Sequence, residues 1–266
     1  MTTVASRARS LASVPYSRVL QLLYSKRGLP WKVHDEVVRV DPGARHLVPH
    51  EPEPGLFEFL RSTIQPGDVV LDVGAFVGVY AVLAARWSAP GGRVVAFEPT
   101  ASSAVLARKH LRFNGATQVE LIEAAVSDRT GSATLHEYDA SGMPFVNSLA
   151  TAVDTDAKGA VRQVRVVTID DICRDLQITP SVVRMDVQGA EIHALRGARE
   201  MIRSAPTLSL VVEMHPQCWP SFGVTEQDVR DTLRDLGLTA RALVSGETLF
   251  ARDTHAVLTR AQELAS

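Results

Sequence analysis

The sequence predicts an α/β fold: an open, mostly parallel sheet with helices on both faces. Three observations carry this. Residues Val69 to Pro99 read as strand, glycine turn, helix and second strand. The same alternation resumes at Val182 and runs to Leu236 after an interruption. Finally, short apolar runs close on the acidic residues Asp72, Glu98, Asp186 and Glu213, which places four carboxylates at one sheet edge.

Residues 1–55 are expected to form an N-terminal arm and cap, and residues 56–266 the main domain. The first 30 residues carry Arg7, Arg9, Arg18, Lys26 and Arg27 and no acidic residue. They predict a helical arm with Val14, Val19, Leu20, Leu22 and Leu23 as its apolar face. Val37, Val38 and Val40 mark a strand before the turn Asp41-Pro42-Gly43. A helix over Leu56 to Ile64 stops at Gln65-Pro66-Gly67. Within the β-α-β unit, Val69 to Val73 is the first strand, Tyr80 to Trp87 the helix and Val94 to Phe97 the second strand. Ala101 to Phe113 predicts a helix stopped by Asn114-Gly115, and Val119 to Ile122 a third strand. From about 131 to 167 the alternation gives way to two antiparallel strands, Ala133 to Glu137 and Val161 to Val167, read as an insertion over the cleft. Thr168 caps a short helix, with Asp171 three residues on. Val182 to Met185 is a strand and Gly189 to Ile202 a helix. Leu208 to Val212 is a strand and Glu226 to Leu236 a helix. Ala240 to Val244 and Thr248 to Ala251 complete the strands, and His255 to Leu264 is expected as a final helix.

The glycine turn narrows the ligand. A dinucleotide site wants a glycine where Phe76 stands, and a pyrophosphate would be repelled by Asp72. A carboxylate there suits a ligand with an ammonium group and a sulfonium. Glu98 is placed to accept hydrogen bonds from two ribose hydroxyls. Adenosine with a cationic amino-acid tail is S-adenosylmethionine. Its expected contacts are Asp72, Gly74, Ala75, Phe76, Val77 and Gly78 in the turn, Glu98 and Pro99 after the second strand, Ala125 and Val126 beside the adenine, and Asp186.

The second constellation lies further along the chain. Asp186 and Glu213 end two successive apolar strands, His215 follows two residues on, and Glu191 opens the next helix. Titratable groups converging from separate segments are what an active site needs. Asp186, Glu213 and His215 are the candidate catalytic residues.

The segments V-L-D-V-G-A-F-V-G, V-V-R-M-D-V-Q-G-A-E-I-H-A-L-R-G-A and V-V-E-M-H-P together resemble the FkbM family of S-adenosylmethionine-dependent methyltransferases, over roughly Gln65 to Leu238. The resemblance implies a Rossmann-like class I methyltransferase fold, with a seven-stranded, mostly parallel sheet whose last strand is antiparallel. It also implies O-methylation of a hydroxyl on a small molecule such as a sugar, polyketide or other secondary metabolite. Gln188 and Glu191, with Asn147 and Ser148 of the insertion, are expected to face that acceptor. Gln188 departs from the family, where glutamate is more frequent.

Methyl transfer to a hydroxyl needs alignment and a destination for the proton. His215 is the expected base, an imidazole mostly neutral at pH 7 and oriented by Glu213 or Asp186. A Mg²⁺ ion on Asp186 and Glu213, with His215 or a backbone oxygen, is the less favoured alternative. Two other classes stay open: a nicotinamide-dependent oxidoreductase, disfavoured by Phe76 and Asp72, and a non-catalytic S-adenosylmethionine-binding protein. A net charge of -2 gives no basic signature for nucleic acid. Cys173 and Cys218 fit a reducing cytoplasm, and no apolar run is long enough to span a membrane. The oligomeric state is not legible.

Overall fold

The computed structural model describes residues 16–51, 53–138, 159–205 and 207–261. Helical residues 16–24 (α1) lead into a hairpin of β1 (Leu29–Val33) and β2 (Glu36–Val40), followed by α2 (Pro54–Thr63). The alternating unit then runs through β3 (Val69–Val73), α3 (Val79–Trp87), β4 (Arg93–Phe97), α4 (Ala101–Phe113) and β5 (Val119–Ile122). Next come β6 (Ala125–Val126), β7 (Gly131–Tyr138), β8 (Gly159–Val167) and α5 (Ile169–Leu176). The second half holds β9 (Val182–Met185), α6 (Glu191–Arg196), α7 (Arg199–Ser204), β10 (Ser209–Met214), α8 (Glu226–Asp235), β11 (Leu238–Ala242) and β12 (Thr254–Arg260).

Seven strands form one sheet in the order β11-β12-β10-β9-β3-β4-β5. Neighbours from β10 to β5 are parallel, whereas β12 is antiparallel to both β10 and β11. Side-chain alternation sends Leu71, Val73, Val95, Phe97, Val183, Met185 and Val212 to one face, against α5 to α8. Val70, Val94, Ala96, Val182 and Val211 go to the other, against α2 and α3. Val33, Val38, Val40 and Val48 of the hairpin region join this second core. The expected class I methyltransferase architecture is present.

Most predicted elements form within a residue or two of their expected bounds, including the Thr168 cap, whose hydroxyl accepts from Asp171 N at 3.0 Å. Four differences have physical causes. The helix expected over Gly189 to Ile202 is two helices, because Gly197 passes so close to the Ser127 carbonyl that a Cβ would lie 2.0 Å from it. Asp170 then caps the second helix from outside, accepting from the Glu200 and Met201 backbone N–H groups. Where a helix is expected from His255 to Leu264, residues up to Arg260 form β12, residues 262–264 lie outside the described residues, and Thr248 to Ala251 is a turn. The slot between β10 and β11 decides this: Ala256 and Leu258 fill one core and Val257 the other, so tertiary burial overrides a helical reading of the local sequence. Ala125 and Val126, expected beside the adenine and in no predicted strand, pair in parallel with β8, which extends the β7–β8 hairpin to three strands.

The N-terminal helix buries one residue of its expected apolar face, Leu20, while Val19, Leu22 and Leu23 are exposed. Val14 lies outside the described residues, as do Asn147 and Ser148.

Candidate active site

At the carboxyl end of β3 the chain makes its glycine turn against β9. Gly74 (φ 86°) leaves so little room that a Cβ would stand 1.8 Å from the Asp186 carbonyl oxygen. Glycine is needed there to join the turn to β9. Gly78 (φ 78°) is pressed on α4, with Ala107 Cβ 3.0 Å from where its own would be. Phe76 occupies the left-handed region at φ 51°, and its N–H donates to Glu98 Oε2 at 2.8 Å. The other Glu98 oxygen accepts from Thr100 N at 2.8 Å. Two backbone donors, together with the Thr100 side chain, thus fix the carboxylate. Burial nevertheless pushes its pKa up to about 7.

Glu98 stands on the wall of a cleft bounded also by Gly74, Phe76, Pro99, Val126, Asp186 and Gln188. Ala124, Ala125 and Leu135 give it an apolar side formed partly by the insertion. Of the residues expected on the cofactor, Gly74, Phe76, Glu98, Pro99, Ala125, Val126 and Asp186 line this cleft. Ala75, Val77 and Gly78 are buried behind it.

Asp72 also lies behind the cleft. It sits opposite Arg184 in the β3–β9 register, and their side chains pair at 3.3 Å, both almost fully enclosed. Arg184 reaches Asp186 Oδ2 at 2.9 Å and the Gly74 carbonyl at 2.7 Å. It also lies 5.2 Å from the centre of the Tyr80 ring. Burial raises the Asp72 carboxyl by more than Arg184 lowers it. The carboxylate presented to the cleft is therefore Asp186, with Asp72 supporting it through Arg184. The signal for Arg184 was in the sequence: a charged residue inside an apolar strand demands buried partners.

The second constellation forms as a connected group. Glu191, expected to face the acceptor, is completely enclosed. Its Oε1 takes His215 Nδ1–H at 2.8 Å and the Gly189 N–H at 2.7 Å, and its Oε2 takes Trp219 Nε1–H at 3.0 Å. It holds the imidazole so that Nε2 faces Asp186 at 3.8 Å and Glu213 at 3.7 Å. The Gln188 amide nitrogen lies 2.9 Å from Asp186 Oδ1 and 3.0 Å from His215 Nε2. Burial opposes the imidazolium, but the Glu191 hydrogen bond and the neighbouring carboxylates outweigh it and push the His215 pKa up to about 9. The sequence expectation of a largely neutral imidazole at pH 7 is reversed, because Glu191, expected to face the acceptor, is buried against His215. Burial and the charge of Asp186 push Glu213 up to about 8.

Glu53 and His255, missed in the sequence, extend the group. Glu213 and His255 are direct cross-strand partners, which brings His255 Nε2 to 3.5 Å from Glu213 Oε2 and 4.0 Å from Glu53 Oε1. Burial lowers the His255 pKa.

Comparison with known proteins bears on the family. The Methyltransferase FkbM domain matches residues 72–238. No curated protein matches. Among solved structures, an FkbM methyltransferase from Methylobacillus flagellatus is similar at 18% identity and a TM-score of 0.47, covering 76% of this chain and 50% of that one. This chain thus spans half the length of that relative. An S-adenosylmethionine-dependent methyltransferase from Aquifex aeolicus is similar at 16% identity and a TM-score of 0.44, covering 82% and 92%. Fibrillarin from Aeropyrum pernix, with S-adenosylmethionine natively bound, shows 16% identity and a TM-score of 0.42 over 74% and 67%. Among the described residues no helix is long and apolar enough to cross a membrane. The domain match over well over half the chain, on a sheet of the expected order, sets the nicotinamide alternative aside: this chain belongs to the FkbM family of S-adenosylmethionine-dependent methyltransferases.

Proposed function

We propose that the protein transfers a methyl group from S-adenosylmethionine to a hydroxyl of a small molecule. One observation carries the reading: the cleft has a carboxylate fixed by backbone donors, Glu98, on its wall, and opens at Asp186 onto the carboxylate and histidine group. The chemistry of the donor set fits the cofactor. Glu98 would accept from the ribose hydroxyls, Ala124, Ala125 and Leu135 would enclose the adenine, and Asp186 would meet the ammonium of the amino-acid tail. When bound, the cofactor supplies an electrophilic methyl on a sulfonium.

The chain's own residues do the rest. The β3 turn, tied to β9 through Gly74 and Arg184, holds the two ends of the cleft in fixed relation, and such alignment accounts for much of the acceleration in a displacement. The Asp186, Glu213 and His215 group receives the hydroxyl proton in its deprotonated form, which the raised His215 and Glu213 pKa values place on the alkaline side, with Glu191 as the positioning residue behind His215.

Turnover of cofactor to S-adenosylhomocysteine, measured with a panel of hydroxylated acceptors, tests this reading. Glu213→Gln and His215→Ala should each lower the rate by roughly 10²–10⁴ with S-adenosylhomocysteine affinity intact. Rates equal to wild type in both variants would remove the group from catalysis. Cofactor binding without turnover on any hydroxyl would make the chain a non-catalytic binder.

A further inference from the structure

Three carboxylates and two histidines meet at the sheet edge, and they divide into two sets that share Glu213. Asp186, Glu213 and His215 form one, and Glu53, Glu213 and His255 the other, each with its oxygen and nitrogen atoms within 4.8 Å of one another. The first set is internally satisfied: Arg184 and Gln188 hold Asp186, and Glu191 holds His215.

The second set is different. His255 Nε2 is out of reach of solvent and makes no hydrogen bond, although two carboxylates stand within 4.0 Å of it. The Tyr80 hydroxyl, also buried, lies against Glu53 on the same side of the set. Orphaned buried polar atoms are rare in folded proteins and call for an explanation. An imidazole nitrogen with no hydrogen bond, flanked by two carboxylates, offers the donor atoms a cation takes.

We propose that Glu53, Glu213 and His255 bind one divalent first-row metal ion. Imidazole with two carboxylates suits Mn²⁺, Fe²⁺ or Zn²⁺ better than Mg²⁺, which prefers oxygen alone. The three ligands come from rigid or anchored positions. Glu213 and His255 are paired across β10 and β12, and Glu53 is the residue that leads into α2. Two of the three lie outside the segment matched by the family domain, so the ion belongs to this chain's own elaboration of the edge. Any part the ion plays in orienting the acceptor oxygen rests on the methyl-transfer reading; its binding does not.

The experiment uses the full chain, freed of metal with a chelator and titrated calorimetrically with Mn²⁺ and with Zn²⁺. One ion per chain is expected. His255→Ala and Glu53→Gln should each weaken binding by more than the roughly 10–100-fold that loss of an outer-shell partner costs. S-adenosylhomocysteine affinity, measured on the same preparations, should not change, which also shows that the variants are folded. Co²⁺ absorption in the visible should change between wild type and His255→Ala, as expected if the imidazole is a ligand. Failure of the wild type to bind either ion, or equal affinity in the double variant Glu53→Gln/His255→Ala, would overturn the proposal. Loss of methyl transfer on every acceptor with metal binding retained would instead defeat the functional reading and leave the metal site standing.

Discussion

On the proposed reading Glu98 meets the cofactor's ribose, so cofactor binding should depend on pH, and the size of the effect follows from the residue's surroundings. Burial holds its pKa at about 7 in the free protein, so the carboxylate is fully ionised only above that value. Ribose hydroxyls donate to the ionised form, and two such bonds contribute about 1.5–3 kcal/mol. At about 1.4 kcal/mol for each pKa unit, binding should draw the pKa in the complex one to two units below its free value. Affinity must then rise as pH rises through that window and level off above pH about 7. S-adenosylhomocysteine should bind roughly tenfold to hundredfold more tightly at pH 8 than at pH 5, measured by calorimetry on wild type and Glu98→Gln. The variant should bind weakly at every pH, with a flat profile. Stability moves the other way. The native carboxyl titrates at about 7 against an ordinary 4.5, so between these the folded state keeps a proton that the unfolded state has released. Stability is therefore lost as pH rises through the window, by about 3 kcal/mol from this group, and Glu98→Gln should not show that loss. A wild-type affinity indifferent to pH from 5 to 8 would refute the reasoning.

Three further outcomes follow from the buried network. Arg184→Met leaves Asp72 and Asp186 as uncompensated carboxylates and should cost about 3–5 kcal/mol in denaturant unfolding; a loss under 1 kcal/mol would mean the pair is not buried as described. Gly74→Ala should destabilise by at least about 1–3 kcal/mol, since its φ of 86° is unsuited to alanine and the Cβ would strike the Asp186 carbonyl; a normal melting temperature would contradict that close approach. Glu191→Ala removes the acceptor of three buried donors and should cost about 1.5–3 kcal/mol or more, together with acceptor turnover. Unchanged turnover in a folded Glu191→Ala protein would show that His215 needs no positioning.

The sheet was legible because buried parallel strands write themselves as short β-branched runs, as Val69 to Val73 and Val182 to Met185 do. Glu98 and Asp186 were legible for the related reason that a charge closing such a run can only stand at the strand's mouth. The network behind them was not. Asp72 has the same local signature as Asp186, and only the register that sets it opposite Arg184 turns it away from the cleft. Glu191 reads as an ordinary first-turn acid until the fold brings His215 and Trp219 onto it. His255 was lost because Thr254 to Arg260 has no decisive period of its own, and its strand state is dictated by two neighbours distant in sequence.

That strand has a consequence for how the molecule is made. β12 lies between β10 and β11, so β11 cannot join the sheet until residues 254–260 arrive to separate it from β10. As the chain leaves the ribosome, the half running from β3 to β10 can associate through parallel crossovers, while β11 must wait as an unpaired edge. Closing the sheet is then a late, threading step in synthesis, and the pairing that completes it is the one that sets His255 opposite Glu213.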